Sequence, residues 1–240
     1  MKQIRIRVVI PNSGMDRDTL NARENMLSRA VSPGTQISVD CIPGGPISIE
    51  SVTDEVTAGP YLLEAGRQAQ QEGYDAFVVY CFSDLAVDAL RENLSIPVVG
   101  PGAVALAAAD MLSNRFTVVT TVERNVSRTL RRLKQNPLCR EKMAGVRALN
   151  IPVAELRDDP KATMRYLSKL CQKAVEEDRA DTLVLGCLGL AEYGDALEQE
   201  FGVKVIDPAF LALAWAEMAA RLNLRPSRRS YGRVNTQEEV

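Results

Sequence analysis

The sequence predicts an α/β protein built as two pseudo-symmetric, doubly wound parallel-sheet halves, with its site in the crevice between them. Three observations carry that prediction. Short runs rich in Val and Ile alternate with longer segments of helical period, the pattern of a parallel sheet covered by helices. Gly and Pro fall mostly between these segments, where turns belong. Landmarks of the first half also recur, in the same order, in the second.

In chain order, strands are predicted at 4–10 (IRIRVVI), 36–42 (QISVDCI), 75–80 (DAFVVY), 97–99, 116–120 (FTVVT), 146–149, 181–185 (DTLVL) and 203–206 (VKVI). Helices are predicted at 16–31, 60–72, 83–93, 103–113, 124–136, 161–178, 190–200 and 209–222. The repeat then becomes visible. DAFVVYC at 75–81 matches DTLVLGC at 181–187, an offset of 106 residues. Tyr61-Leu62 and Tyr166-Leu167 lie 105 apart, Pro101 and Pro208 lie 107 apart, and VVIPNS at 8–13 matches VVTTVE at 118–123, 110 apart. Each match alone is weak, because strand–turn–helix units look alike. Four in one order at a nearly constant offset indicate a duplicated unit of flavodoxin-like kind. The halves are placed at 1–100 and 101–222, with the last helix, 209–222, able to pack back on the first half, and 223–240 is read as a tail. Ligands of such sheets bind outside the carboxyl ends of the strands, which puts the site in the crevice between the halves.

Composition narrows the function. Of the 240 residues, 46% are hydrophobic and 25% charged, the balance of an ordinary globular protein with a sizeable core. The net charge of −2, from 29 basic and 31 acidic residues, argues against nucleic acid or an anionic membrane as partner. No apolar stretch approaches the roughly 20 residues that span a bilayer, and MKQIRIRVVIPNS is not a secretory signal. Five cysteines, an odd number without a CxxC pair, read as reduced thiols of a cytoplasmic protein. The absence of histidine excludes a Ser-His-Asp or Cys-His system and an HExxH zinc site, leaving Cys, Asp, Glu, Lys and Tyr for acid–base work. No GxGxxG or GxxxxGK[ST] signals a nucleotide.

Cys81 and Cys187 are the candidate catalytic residues, because each ends the matching strand of its half where a helix is predicted to follow. Ser83-Asp84 reads as a helix start after Cys81, and Leu188-Gly189 follows Cys187. Backbone N–H groups and the helix dipole at such a point favour an anion, which predicts a thiol pKa lowered from about 8.5 towards neutrality. Two thiols from pseudo-twofold related halves would face one crevice from opposite sides, the geometry needed to invert a carbon acid: one removes the α-proton and the other returns a proton to the opposite face. A lone cysteine after a strand is more often an inert core residue, and that reading is kept for Cys41, Cys139 and Cys171. For Cys81 and Cys187 the equivalence of position reverses it. Asn12-Ser13 and Thr120-Thr121 end the first strand of each half and should open onto the crevice, or else cap helices. The Gly44-Gly45-Pro46 loop either approaches a ligand or is simply a turn. The basic tail Arg225 to Arg233 reads as a solvated or subunit-packing extension.

With these residues in view, the chain resembles the hydantoin and allantoin racemases of the aspartate/glutamate racemase superfamily, over nearly its full length to about residue 232. The matching stretches are VVIPNS, GGPISIES, DEVTAGPYLLEAG, GYDAFVVYCFSD, IPVVGPG, FTVVTTVERNV, EEDRADTLVLGCLGLA and GVKVIDP. The resemblance implies a cofactor-independent, metal-free racemase in which Cys81 and Cys187 epimerise a carbon beside a carbonyl. It implies Asn12, Ser13, Pro46, Thr120 and Thr121 as substrate-binding lining, with Ser83 and Gly189 beside the thiols. The chain departs from the family at Ser83, Leu85 and Ala86, where Cys-Phe-Gly-Asp-Pro-Gly is usual, at Leu188 and Leu190, where Cys-Ala-Gly-Met is common, and at Pro208-Ala209. The wall beside each thiol is therefore expected to differ, and substrate selectivity with it. A homo-oligomer acting on a small molecule is expected. Two alternatives stand beside racemisation: a cysteine-dependent isomerase or decarboxylase working through an enolate, and a non-catalytic two-lobed binding protein.

Overall fold

A computed structural model describes residues 3–232. The described residues form two four-stranded parallel sheets of identical topology. The first is built from β1 (Arg5–Ile10), α1 (Arg17–Leu27), β2 (Gln36–Cys41), α2 (Val52–Gln71), β3 (Ala76–Val79), α3 (Val87–Asn93) and β4 (Val98–Val99), in the order β2-β1-β3-β4. The second follows α4 (Pro101–Leu112) and contains β5 (Phe116–Thr120), α5 (Arg124–Gln135), α6 (Pro137–Arg140), β6 (Met143–Ala148), α7 (Pro160–Glu176), β7 (Thr182–Leu185), α8 (Gly194–Phe201) and β8 (Lys204–Ile206), in the order β6-β5-β7-β8. The last helix among the described residues is α9 (Pro208–Arg221). β3, β5 and β7 are buried along their whole length, which is why they read as continuous apolar runs rather than alternating ones.

Each sheet is covered on both faces. In the first, Leu62 and Ala69 of α2 and Leu90 of α3 pack with Val9, Phe77 and Val79, while Leu20 and Leu27 of α1 pack with Ile6, Val8 and Val78. In the second, Leu167, Cys171 and Ala174 of α7 pack with Val119, Leu183 and Leu185. Fully burying each such Leu or Phe side chain contributes about 1.5–3 kcal/mol. Helices are also exchanged between the sheets. Ala105, Ala108 and Ala109 of α4, which follows the first sheet, pack on Phe116, Val118 and Val184 of the second. Ala209, Ala212, Leu213 and Ala216 of α9, which follows the second sheet, pack on the first. Their small side chains let α4 and α9 also lie against each other at the centre of the molecule. Glu217 fixes α9 to the loop after α1, accepting hydrogen bonds from the Thr35 hydroxyl at 2.6 Å and the Ser32 N–H at 3.0 Å.

All eight strands form where the sequence predicts them, but several helices start elsewhere. α2 begins at Val52 rather than residue 60, because Ser51 caps it by accepting from the Asp54 N–H at 3.1 Å and Pro60 is absorbed within the helix. α3 begins at Val87 rather than residue 83. The predicted cap, Asp84, is engaged instead at the start of α4, accepting from the Gly102 and Ala103 N–H groups at 2.8 and 2.6 Å. The segment after Cys187 forms a short 3-10 turn, Leu188–Leu190, and α8 starts only at Gly194. A short helix, α6, precedes β6, which begins three residues earlier than the apolar run indicates. The described part of the tail packs on its own first half: Arg228 donates to the Arg91 carbonyl at 3.2 Å and to that of Leu94, and the Tyr231 hydroxyl lies 3.3 Å from Asp88 Oδ1. The rest of the tail, including Arg233, lies outside the described residues.

Candidate active site

In the order β2-β1-β3-β4 the chain leaves β1 towards one edge and β3 towards the other, so a crevice opens at the carboxyl ends of this pair. The same holds for β5 and β7 in the second sheet. Val9 pairs with Val79, and the next N–H, of Tyr80, donates to the Val9 carbonyl at 2.9 Å. Val119 pairs with Leu185, and the next N–H, of Gly186, donates to the Val119 carbonyl at 2.7 Å. Cys81 and Cys187 are each the next residue. They leave their sheets at equivalent points, and both line one cavity of about 370 Å³.

Each sulfur is held by the residue two positions on. Cys81 Sγ lies 3.3 Å from the Ser83 hydroxyl, and Cys187 Sγ accepts the Gly189 N–H at 3.4 Å. Neither thiol stands at an α-helix N-terminus, because α3 and α8 begin six and seven residues later. The predicted depression of the thiol pKa is therefore corrected. Burial pushes Cys81 up, against hydrogen bonds from Ser83 that lower it. Burial pushes Cys187 up to about 12, outweighing the Gly189 N–H and the Arg23 guanidinium.

Asn12, Ser13, Ser83, Thr120, Thr121 and Gly189 line the same cavity. Pro46 does not. Its carbonyl accepts the Ser13 N–H at 2.8 Å, and the Ser13 hydroxyl donates to the Gly45 carbonyl at 2.9 Å, so the Gly-Gly-Pro loop holds Ser13 in place. Of the residues that depart from the family, Ser83 and Leu188 face the cavity, whereas Leu85 and Leu190 are buried in the cores behind it. Cys41, Cys139 and Cys171 do not line the cavity, and the last two are fully buried. No cluster of His, Cys, Asp and Glu able to hold a metal occurs among the described residues. No helix of the described residues is long and apolar enough to cross a membrane.

The two halves are tied across the crevice. The Tyr80 hydroxyl donates to the Leu188 carbonyl at 3.3 Å, joining the loop after β3 to the one carrying Cys187. Glu50, 8% exposed, accepts the Val153 N–H at 2.9 Å and pairs with Arg124. Glu55 pairs with Arg128 at 3.1 Å and Arg132 at 3.7 Å.

Sequence reasoning missed the charge of the site. Arg23, Arg128, Arg132 and Arg157 all line the cavity, with Asn125 and Tyr80. The available signal was spacing: Thr19 and Arg23, and Arg128 and Arg132, stand four apart on the helices that follow β1 and β5, and so share a face.

The family described as Asp/Glu/Hydantoin racemase matches residues 6–216. A hydantoin racemase of Pseudomonas sp. (strain NS671) is 34% identical over 225 residues, which cover 94% of this chain and 89% of that protein. A hydantoin racemase of Rhizobium meliloti is 35% identical over 212 residues, covering 88% of this chain and 87% of that one. Among solved structures, an allantoin racemase from Klebsiella pneumoniae superposes with a TM-score of 0.89 at 29% identity, covering 99% of this chain and 96% of the other.

Proposed function

Since the chain belongs to the Asp/Glu/Hydantoin racemase family, we propose that Cys81 and Cys187 invert a carbon beside a ring carbonyl of a hydantoin-like substrate, a 5-substituted hydantoin or allantoin. The enzyme is an isomerase of the racemase type. The observation that carries the two-thiol reading is equivalence: both cysteines follow the same strand position in topologically identical sheets and line one cavity.

The chemistry balances without a redox partner. One thiolate takes the α-proton, and the C–H electrons pass onto the neighbouring carbonyl to give an enolate. The opposing thiol delivers its proton to the other face, the carbonyl reforms, and the two sulfurs have exchanged protonation states. A thiol whose pKa is raised by burial is a strong base once deprotonated, which suits removal of a weakly acidic C–H. The Ser83 hydroxyl and the Gly189 N–H, each beside a sulfur, moderate its charge. Asn12, Thr120 and Thr121 supply hydrogen-bonding groups to the ring and its enolate oxygen.

The test is loss of optical rotation from pure enantiomers of a panel of 5-substituted hydantoins and allantoin with purified protein. Decay to zero rotation for at least one member is expected. Persistent rotation across the panel, with no ring opening, would contradict the assignment.

A further inference from the structure

We propose that the cavity is built for an anionic substrate: a hydantoin whose 5-substituent ends in a carboxylate, held by Arg23. This rests on the hydantoin reading and adds the charge of the substrate to it. The four guanidinium groups that line the cavity face no lining carboxylate among the described residues. Three of the four are already engaged. Arg128 and Arg132 share Glu55 at 3.1 and 3.7 Å, and Arg157 lies 3.5 Å from Glu192 Oε2 and donates to the Ala191 carbonyl at 3.0 Å.

Arg23 is the exception. Its Nη1 is fully buried and has no hydrogen-bond partner, and, unlike Arg128 Nη1, which also lacks one but lies 3.1 Å from Glu55, it has no carboxylate at ion-pair distance among the described residues. Glu192, the carboxylate that acts on it electrostatically, is committed elsewhere, to Arg29 and Arg157. A buried charged donor without a partner is costly and rare in native proteins, so its retention inside the cavity points to a partner that arrives with the ligand. Carboxylate is the matching chemistry, since a guanidinium presents paired N–H donors to its two oxygens. The location fits as well. Arg23 lines the cavity beside Tyr80 and within electrostatic reach of Cys187, so a carboxylate on it would leave the ring next to the thiols. Ile47 and Ile49 line the same cavity and offer apolar contact to the connecting methylenes. About 370 Å³ holds a five-membered ring with such a chain.

The experiment compares 5-(2-carboxyethyl)hydantoin with its neutral isostere 5-(2-carbamoylethyl)hydantoin by isothermal titration calorimetry. Exchange of the C5 hydrogen in D2O is followed on the same samples. The wild-type protein should bind the acid at least about tenfold more tightly than the amide. Arg23→Met should bring that ratio close to one, and Arg23→Lys should retain part of it. Arg23→Met should melt no lower than wild type without ligand, since it removes an unpaired buried charge. Equal affinity for acid and amide in the wild type, binding of neither, or equal weakening of both in Arg23→Met would overturn the proposal. Absence of C5 exchange with either compound would remove the racemase reading, while the binding ratio would still decide the role of Arg23.

Discussion

Replacing Gly102 by alanine probes the contact that positions the Cys81 loop. Gly102 is the second residue of α4, and a Cβ there would stand 2.1 Å from the Phe82 carbonyl oxygen. An ordinary carbon–oxygen contact is about 3.3 Å, so loop and helix must separate by about 1 Å. The same interface carries the two hydrogen bonds from Gly102 and Ala103 to Asp84, at 2.8 and 2.6 Å, which that movement would stretch beyond useful length. Hydrogen bonds to a charged group contribute about 1.5–3 kcal/mol each, and overpacking adds about 1–3 kcal/mol. Against this, alanine gains about 1 kcal/mol in helix propensity. A net loss of about 3–8 kcal/mol is expected, read as a lower midpoint in urea unfolding followed by circular dichroism. Because Phe82 and Ser83 line the cavity, kcat/KM should also fall, on the order of a hundredfold for a displacement of this size. Gly59→Ala is the internal control. It lies inside α2 with no atom beyond its chain neighbours within 4 Å of an added Cβ, and Pro60, which disfavours a Cβ on the helical residue before it, offsets the gain in propensity, so stability should change by less than about 1 kcal/mol. Gly102→Ala as stable and active as wild type, or Gly59→Ala equally harmful, would refute the reasoning.

Two further outcomes follow from the ionisable groups. Burial alone would raise the pKa of Glu217, but hydrogen bonds from Thr35, Arg221 and Ser32 outweigh it and hold the carboxyl at about 2, below its ordinary 4.5. Its stabilising contribution is therefore present above about pH 4.5 and lost as pH falls through about 2. Glu217→Gln should cost about 2–3 kcal/mol at neutral pH and nothing below about pH 2, measured by urea unfolding across that window. For Cys187, burial favours the thiol, so the difference in thiolate ultraviolet absorbance between wild type and Cys187→Ser should stay flat from neutral pH to about pH 10. A step near neutrality would show that the Gly189 N–H and Arg23 prevail over burial.

Much of this architecture was legible because parallel strands buried on both faces write themselves as runs such as Phe77-Val78-Val79 and Leu183-Val184-Leu185. The repeat offsets of 106 and 110 residues are the pairing of Val79 with Val9 and of Leu185 with Val119 seen from the sequence side. Six of the seven expected lining positions, together with both thiols, converge on one cavity because strand ends are fixed by sheet topology. What stayed hidden depends on distance in space. Asp84 looks like the cap of the next helix, yet its carboxylate serves α4, eighteen residues on. Cys81 and Cys187 end strands where a helix expected to follow predicts a low pKa, but the helices begin later and the depth of burial that reverses the direction has no local signature. Arg23 is one of many surface-like arginines in the sequence, and only the fold reveals that its Nη1 is buried without a hydrogen-bond partner.

The central claim, that each thiol serves one face of the same carbon, is tested most directly by proton NMR in D2O on each pure enantiomer of a substrate hydantoin with Cys81→Ser and Cys187→Ser. Serine is far too weak an acid to give a useful base at neutral pH, so racemisation should fall by orders of magnitude in both variants, while the remaining thiolate still removes the proton on its own side. The account predicts that exchange of the α-hydrogen persists for one enantiomer only, and for opposite enantiomers in the two variants, with Cys41, Cys139 and Cys171 substitutions leaving both enantiomers exchanging. Full racemisation by either the Cys81 or the Cys187 variant would contradict it.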